Sequence, residues 1–376
     1  MIRSLLQLPP NILSYKLSRS INLRPPLPIN ITVSLTNVCN SRCKTCFIWK
    51  HYIDNPEQKE KEFKTWEFER TFRSLGDKAI WFTLSGGEPF LRDDMVEICT
   101  LAYEICTPQI ITIPTNCLLP DIIEKKTRQI LEKCSDVKLI INLSLDGIGD
   151  KHDELRGVNN NFTQVLNTFQ QLNKIKKDFQ NLNIGVHSVI SKFNVNHIEQ
   201  IYNYVKKLDP DSYISEIAEN RTELFNMDKD IAPNSVTYEK TINRISDNIS
   251  WDSTTKNTMS KLIQNFRKKY YDLVVKEQTL KRQVIPCYAG YASCHITPYG
   301  DVWPCCVLGY DKPMGNLREF GYDFKKIWFS EQADEVRKFI KEGNCYCPLA
   351  NAHYTNILCN FRSVLDILGS MIGSYV

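Results

Sequence analysis

The chain has 376 residues, 42% of them hydrophobic and 24% charged, a balance that excludes wholesale disorder and suits a large α/β domain plus a smaller one. A formal net charge of +4, with no basic block interleaved with aromatics, argues against a nucleic-acid partner. Fourteen cysteines, no secretory signal and no apolar run near the ~20 residues of a transmembrane segment predict a reducing, cytoplasmic setting, where clustered thiols are metal sites or core residues and not disulfides.

Residues 1–27 are predicted to form an N-terminal arm. Leu5, Leu6, Ile12, Leu13 and Leu17 make an apolar stripe opposite Arg3, Lys16 and Arg19. Pro9 and Pro10 are expected to break this helix, so that the arm packs on the main domain; a helix lying on a membrane surface is the other reading. Strand-like runs rich in Ile, Val and Thr follow at Asn30–Leu35, Ala79–Leu84, Ile110–Pro114, Lys138–Leu145, Ile184–Ile190 and Tyr213–Ala218. Helical spacing separates them at Asp93–Ile105, Leu119–Cys134, Asn161–Lys177 and Asn196–Leu208. This alternation predicts an α/β fold, a partial (β/α)6 TIM-type barrel over residues 28–234, with chemistry at the C-terminal strand ends. Residues 235–283 read as a helical linker anchored by Trp251 and Tyr270, and residues 284–360 as a small Cys-rich α+β domain. Residues 361–376 read as a docking helix with Val364, Leu365, Ile367, Leu368 and Ile372 at helical spacing.

The first strand runs directly into Cys39-Asn-Ser-Arg-Cys43-Lys-Thr-Cys46. A [4Fe–4S] cube normally takes four thiolates, so three leave one iron free to bind an amine and a carboxylate of a further ligand. Zinc is the competing reading, but zinc sites mostly use paired C-x2-C ligands, and no partner pair lies nearby. Ser85-Gly86-Gly87-Glu88-Pro89 closes the second strand: the glycines permit close backbone approach, and Glu88 can take an ammonium. Thr115 and Asn116 end the third strand, and Ser144 and Asp146 end the fourth on one shared face. These last two either bond ribose hydroxyls or cap the turn at Gly147. Ser188 and Ser191, around the fifth strand, are weaker ribose candidates, and His187 reads as a packed strand residue. Glu216, Glu219 and Arg221 end the sixth strand and are substrate-site candidates unless they simply pair with one another at the surface.

On the cysteine loop and the GGEP segment one βα unit later, the chain resembles the radical S-adenosylmethionine (SAM) superfamily over roughly residues 28 to 220, and to about 360 with the appended domain. That resemblance implies a [4Fe–4S] cluster on Cys39, Cys43 and Cys46 whose open iron binds the SAM amine and carboxylate. It implies reductive cleavage to methionine and a 5′-deoxyadenosyl radical, hydrogen abstraction from substrate, and an electron donor such as flavodoxin or ferredoxin. Gly86, Gly87 and Glu88 resemble the motif that holds the SAM amine. The segment His152–Gly157 resembles the one in which an arginine, here Arg156, meets the SAM carboxylate. The family often places an aromatic residue or His before the third cysteine, near adenine; this chain has Thr45 there, so Phe47 or Trp49 is expected to supply part of that contact.

The C-terminal cysteines are 287, 294, 305, 306, 345, 347 and 359. Cys287 through Cys305 read as a hairpin turning at Gly300, with Val302 and Trp303 starting the return strand. This resembles the auxiliary-cluster domains called SPASM, or the shorter twitch type. A full SPASM pattern includes a C-x2-C-x5-C-x3-C run that this chain lacks, so at least one auxiliary [4Fe–4S] cluster is expected, on Cys287, Cys305, Cys345 and Cys347. Cys294, Cys306 or Cys359 could substitute or bind a second cluster, and zinc is the alternative metal. Cys99, Cys106, Cys117 and Cys134 lack ligand spacing and read as small hydrophobes. Family analogy offers a peptide or protein substrate, or a small alcohol such as a sugar being dehydrogenated. Because the cysteine loop begins at Cys39, the sequence leaves no room for a separate N-terminal peptide-recognition domain, which weighs against the peptide. A non-catalytic iron–sulfur or zinc protein acting in redox sensing or partner binding is the alternative from another class.

Overall fold

A computed structural model describes residues 2–251 and 258–373 of the chain. The side chains of Arg3, Leu5, Leu6, Trp251 and Ile372 lie outside the described ones, as do residues 374–376. Helix α1 (Ile2–Ile21) precedes strand β1 (Asn30–Thr36); α2 (His51–Asp54) and α3 (Thr65–Leu75) lead to β2 (Trp81–Gly86). Then α4 (Met95–Cys106), β3 (Ile110–Thr115), α5 (Pro120–Lys133), β4 (Lys138–Ser144), α6 (Asp150–Arg156) and α7 (Asn161–Ile175) follow. The alternation ends with β5 (Leu182–Ile190), α8 (Ile198–Leu208) and β6 (Ser212–Ile217). Strands β1 to β6 are parallel neighbours in sequence order, as six βα units predict. Alternate strand residues such as Ile31, Val33, Ile111, Ile113, Leu139 and Ile141 are buried against the helices, and Phe68, Phe72 and Phe82 meet in edge and tilted ring contacts on α3 and β2.

Helices α9 (Ser235–Trp251) and α10 (Thr258–Leu280) occupy the predicted helical linker, where Tyr270 is fully buried and its hydroxyl donates to the Pro348 carbonyl. Next come β7 (Ser293–Ile296), β8 (Asp301–Trp303) and β9 (Gly315–Asn316). Gly300 turns the β7–β8 hairpin at φ +89°. Strand β7 pairs with β1 in parallel, from Asn30↔Ser293 to Val33↔Ile296, so the hairpin continues the barrel sheet in the order β6-β5-β4-β3-β2-β1-β7-β8-β9. The sequence gives no sign of that join: a four-residue strand cannot announce its partner. The chain closes with α11 (Phe324–Trp328), α12 (Glu331–Lys341), α13 (Ala350–Cys359) and α14 (Phe361–Gly373).

Two expectations about the termini need correction. Pro9 and Pro10 do not break α1, which runs through both. Among its described side chains the anchors are Tyr15, fully buried with its hydroxyl bonded to the Leu27 carbonyl, and Ile12, packed on the same cluster, while Leu13 and Leu17 are 58% and 50% exposed. In α14, Ile367 is buried as expected, but Leu365 and Leu368 face outward. No described helix is long and apolar enough to cross a membrane.

Candidate active site

Beyond Thr36 the chain forms the loop that carries Cys39, Cys43 and Cys46. Both flanks of the loop are clamped by backbone. Arg42 and Lys44 N–H donate to the carbonyls of Arg156 and Leu155, each at 2.9 Å, and Ser41 Oγ donates to the Arg156 carbonyl at 3.0 Å. These carbonyls are free because α6 ends there, capped by Gly157 at φ +68°, which lies so close that a Cβ would overlap the Arg42 carbonyl oxygen. On the other flank Phe47 N–H donates to Leu224 O, and Asn226 Nδ2 donates to the Thr45 carbonyl, both at 2.9 Å. Phe47 is half-buried, and Trp49 Nε1 is buried without a partner. Burial, and then the neighbouring Cys43, pushes the Cys39 thiol up to about 12 and raises Cys46 as well. Among the described residues, the one trio of His, Cys or carboxylate donor atoms all within 4.8 Å is Glu223, His295 and Cys306. The three loop sulfurs do not form such a trio.

The GGEP glycines face protein, not open space. A Cβ on Gly86 (φ +120°) would overlap the Thr36 carbonyl oxygen, and one on Gly87 the Val38 carbonyl oxygen. Their close approach lets Gly87 N–H and Glu88 N–H donate to Thr36 O and Val38 O at 2.7 and 2.8 Å, seating the end of β2 against the root of the cysteine loop. Glu88 is thereby buried beside the loop. Its carboxylate accepts from Thr115 Oγ1 (2.9 Å), Asn116 N–H (2.7 Å) and Phe90 N–H (3.3 Å). Burial still outweighs those bonds and holds its pKa up to about 7. Asn116 Nδ2 donates to Asn40 Oδ1 at 2.7 Å, tying the third strand end to the loop.

Arg156 is the fourth wall. Its guanidinium pairs with Asp146 at 3.0 Å, and Asp146 also accepts from Val189 N–H at 2.8 Å. Burial acts to lower the Arg156 pKa, but the Cys43, Asp146 and Cys39 side chains beside it raise it overall. Its Nε is buried with no partner, a donor left over for an anion. The structure thus brings Cys39, Cys43, Cys46, Glu88, Asn116 and Arg156 together. It does not leave Ser188 or Ser191 free for ribose: Ser188 Oγ bonds the Leu145 carbonyl, and Ser191 Oγ bonds Asn194 Oδ1 at 3.1 Å while accepting from Phe193 N–H. Ser144 stands half-buried at the end of β4. Arg221 pairs with Glu219 at 2.8 Å and Glu216 at 3.6 Å, and Glu216 lies 3.4 Å from His187 Nε2. This set pairs internally, largely buried and not at the surface.

Cys287, Cys305, Cys345 and Cys347 line a single cavity together with Glu277 and His353. Burial, with the neighbouring thiols second, raises Cys305 and Cys345 to about 12. Four thiols on one cavity wall is the donor set a cubane cluster uses. Glu277 and His353 were not apparent in the sequence; they lie 3.3 Å apart and flank the cavity, nearly fully buried. Glu62 was missed too: it accepts from Thr36 Oγ1 and Asn37 N–H at 2.8 and 2.6 Å, yet stands within a charged run that reads as solvated.

Residues 33–205 match the model of the radical SAM superfamily, and residues 287–348 match that of the SPASM iron–sulfur cluster-binding domain. The chain carries a radical SAM domain over residues 33–205. It carries a SPASM domain, and its cofactors are a [4Fe–4S] cluster, SAM and an auxiliary cluster. Among curated relatives it is 23% identical over 335 residues to the antilisterial bacteriocin subtilosin biosynthesis protein AlbA of Bacillus subtilis, covering 86% of this chain and 67% of AlbA. It is 25% identical over 265 residues to the AdoMet-dependent heme synthase of Methanosarcina barkeri, covering 68% and 69%. It spans 58% of the length of a Methanocaldococcus jannaschii relative. Among solved structures, Streptococcus suis SuiB bound to S-adenosylmethionine superposes with a TM-score of 0.59 at 18% identity, over 83% of this chain and 68% of SuiB, showing a common fold.

Glu88 also supplies a pH test of where a SAM ammonium sits in this radical SAM chain. A carboxylate with a raised pKa binds an ammonium only once deprotonated, so SAM affinity is expected to rise with pH through about 7, by up to about tenfold per unit below it. Glu88→Gln is expected to weaken binding and flatten that profile. Calorimetric titration of cluster-loaded protein from about pH 6 to about pH 8 checks it.

Proposed function

We propose that this chain reductively cleaves SAM at a [4Fe–4S] cluster held by Cys39, Cys43 and Cys46, and uses the resulting 5′-deoxyadenosyl radical to abstract hydrogen from a peptide or protein substrate. The observation that carries the reading is the three-thiol loop walled by a buried carboxylate, Glu88, and a guanidinium with a spare donor, Arg156. Glu88 would take the SAM ammonium, and Arg156 Nε its carboxylate. Thr115 and Asn116 hold Glu88 in place, and Ser144 and Asp146 line the adjacent strand ends. Residues 28–234 would form the SAM-binding barrel and residues 284–360 the auxiliary part, with Cys287, Cys305, Cys345 and Cys347 as ligands. The peptide class is supported by the likeness to AlbA over 86% of this chain, and SuiB, on a similar fold, has been crystallised with its precursor peptide SuiA.

The test is anaerobic reconstitution followed by dithionite and SAM, with 5′-deoxyadenosine measured. Its absence from protein carrying a full iron complement would overturn the reading. Cys287→Ser is expected to lose about four irons per chain while 5′-deoxyadenosine still forms without added substrate. A variant that keeps its iron would remove Cys287 from the ligand set.

A further inference from the structure

Three donor side chains converge between the two thiol sets, none of them among the seven cysteines assigned to clusters, with Cys306 next to Cys305 in the chain. Glu223 stands on the short helical turn Thr222–Leu224, His295 on β7, and Cys306 just after β8. One donor atom from each lies within 4.8 Å of the other two. His295 and Cys306 are buried, and Glu223 is half-buried. The fold fixes the trio from separate elements: Thr222 Oγ1 donates to the Cys306 carbonyl at 3.2 Å, and the β1–β7 pairing sets His295 opposite Thr32. Ser34 Oγ meets His295 Nε2 at 2.8 Å and Glu223 Oε1 at 3.5 Å, so a further oxygen lies at the same point. The trio borders a cavity of about 80 Å³ that Cys305, Asn30 and Asn351 also line.

Charge points the same way. Glu216, Glu219 and Glu223 share one guanidinium, Arg221, which contacts the first two directly. With His neutral, three carboxylates against one cation leave a largely buried excess of two negative charges. Such an excess is relieved by protonation or by a cation. A carboxylate, an imidazole and a thiol within 4.8 Å of one another are the mixed donors of a zinc site with its fourth position open.

We propose that Glu223, His295 and Cys306 bind one zinc ion in the barrel, separate from the iron–sulfur sites, with the fourth position turned to the cavity. Binding displaces the thiol proton to solvent and leaves the zinc able to accept a water or a substrate oxygen or sulfur donor.

The test uses anaerobically purified, cluster-loaded protein given zinc chloride and then desalted. About one zinc per chain should be retained, and zinc-edge X-ray absorption should show one sulfur among nitrogen and oxygen neighbours. His295→Ala and Cys306→Ser should each weaken zinc retention at least about tenfold while iron and sulfide stay unchanged. Glu223→Gln gives a third, near-isosteric variant if either of those folds poorly. The proposal is overturned if no zinc is retained, if both variants keep it, or if Cys306→Ser loses iron, which would make Cys306 a cluster ligand. Because the readout is metal content, the outcome is independent of SAM cleavage.

Discussion

Cys43→Ala is expected to abolish 5′-deoxyadenosine formation and to remove about four irons per chain, leaving the auxiliary cluster in place. The size of the effect follows from the count of ligands: two thiolates cannot hold a cube that already lacks a fourth. The variant is clean because the loop does not depend on the Cys43 side chain. Its backbone is held by the Arg156 and Leu155 carbonyls on one flank and by Leu224 and Asn226 on the other. Cys43 Sγ itself contacts Ser41 Oγ at 3.2 Å. Circular dichroism and the thermal midpoint should therefore change little. Iron and sulfide assays with product chromatography check the rest. Continued 5′-deoxyadenosine formation at full iron content would mean that another residue completes the cluster.

Gly86→Ala should act through the backbone and cost about 3 kcal/mol of stability. At φ +120° a side chain is strained in any surroundings, and here the added Cβ would also run into the Thr36 carbonyl oxygen. Relief requires β2 to move away from the root of the cysteine loop, breaking the Gly87–Thr36 and Glu88–Val38 bonds. Iron at the first site should fall along with stability. Urea denaturation of the reconstituted protein measures the first and an iron assay the second. An unchanged midpoint would show that the strand end yields at no cost. The contrast with Cys43→Ala is diagnostic: one removes a ligand from an intact loop, the other displaces the loop with all its ligands present.

The barrel was legible because each strand is a short run of β-branched residues and each helix repeats its apolar positions with helical period, so both periods stand in the sequence. Gly86, Gly87 and Glu88 were legible as a motif, but what they approach was not. Only the fold reveals that the glycines admit Thr36 and Val38, since the partner lies one βα unit earlier. Ser188 and Ser191 show the opposite limit: a hydroxyl at a strand end reads as a ligand contact until the carbonyl of Leu145 or the side chain of Asn194 is found beside it. Asn226, Glu62 and the Glu223–His295–Cys306 trio were invisible because each acts across segments far apart in the chain, and none carries a local spacing. The prolines of α1 misled because breaking is a local rule, whereas Ile12 and Tyr15 pack on Tyr288, Tyr291 and Cys359, far along the chain.

The four-residue pairing of β1 with β7 works as a molecular ruler. A slip of one residue in that register would translate the hairpin by about 3.3 Å and turn its side chains to the opposite face. The spacing between the two thiol sets is thereby tied to main-chain bonds from Asn30 to Val33.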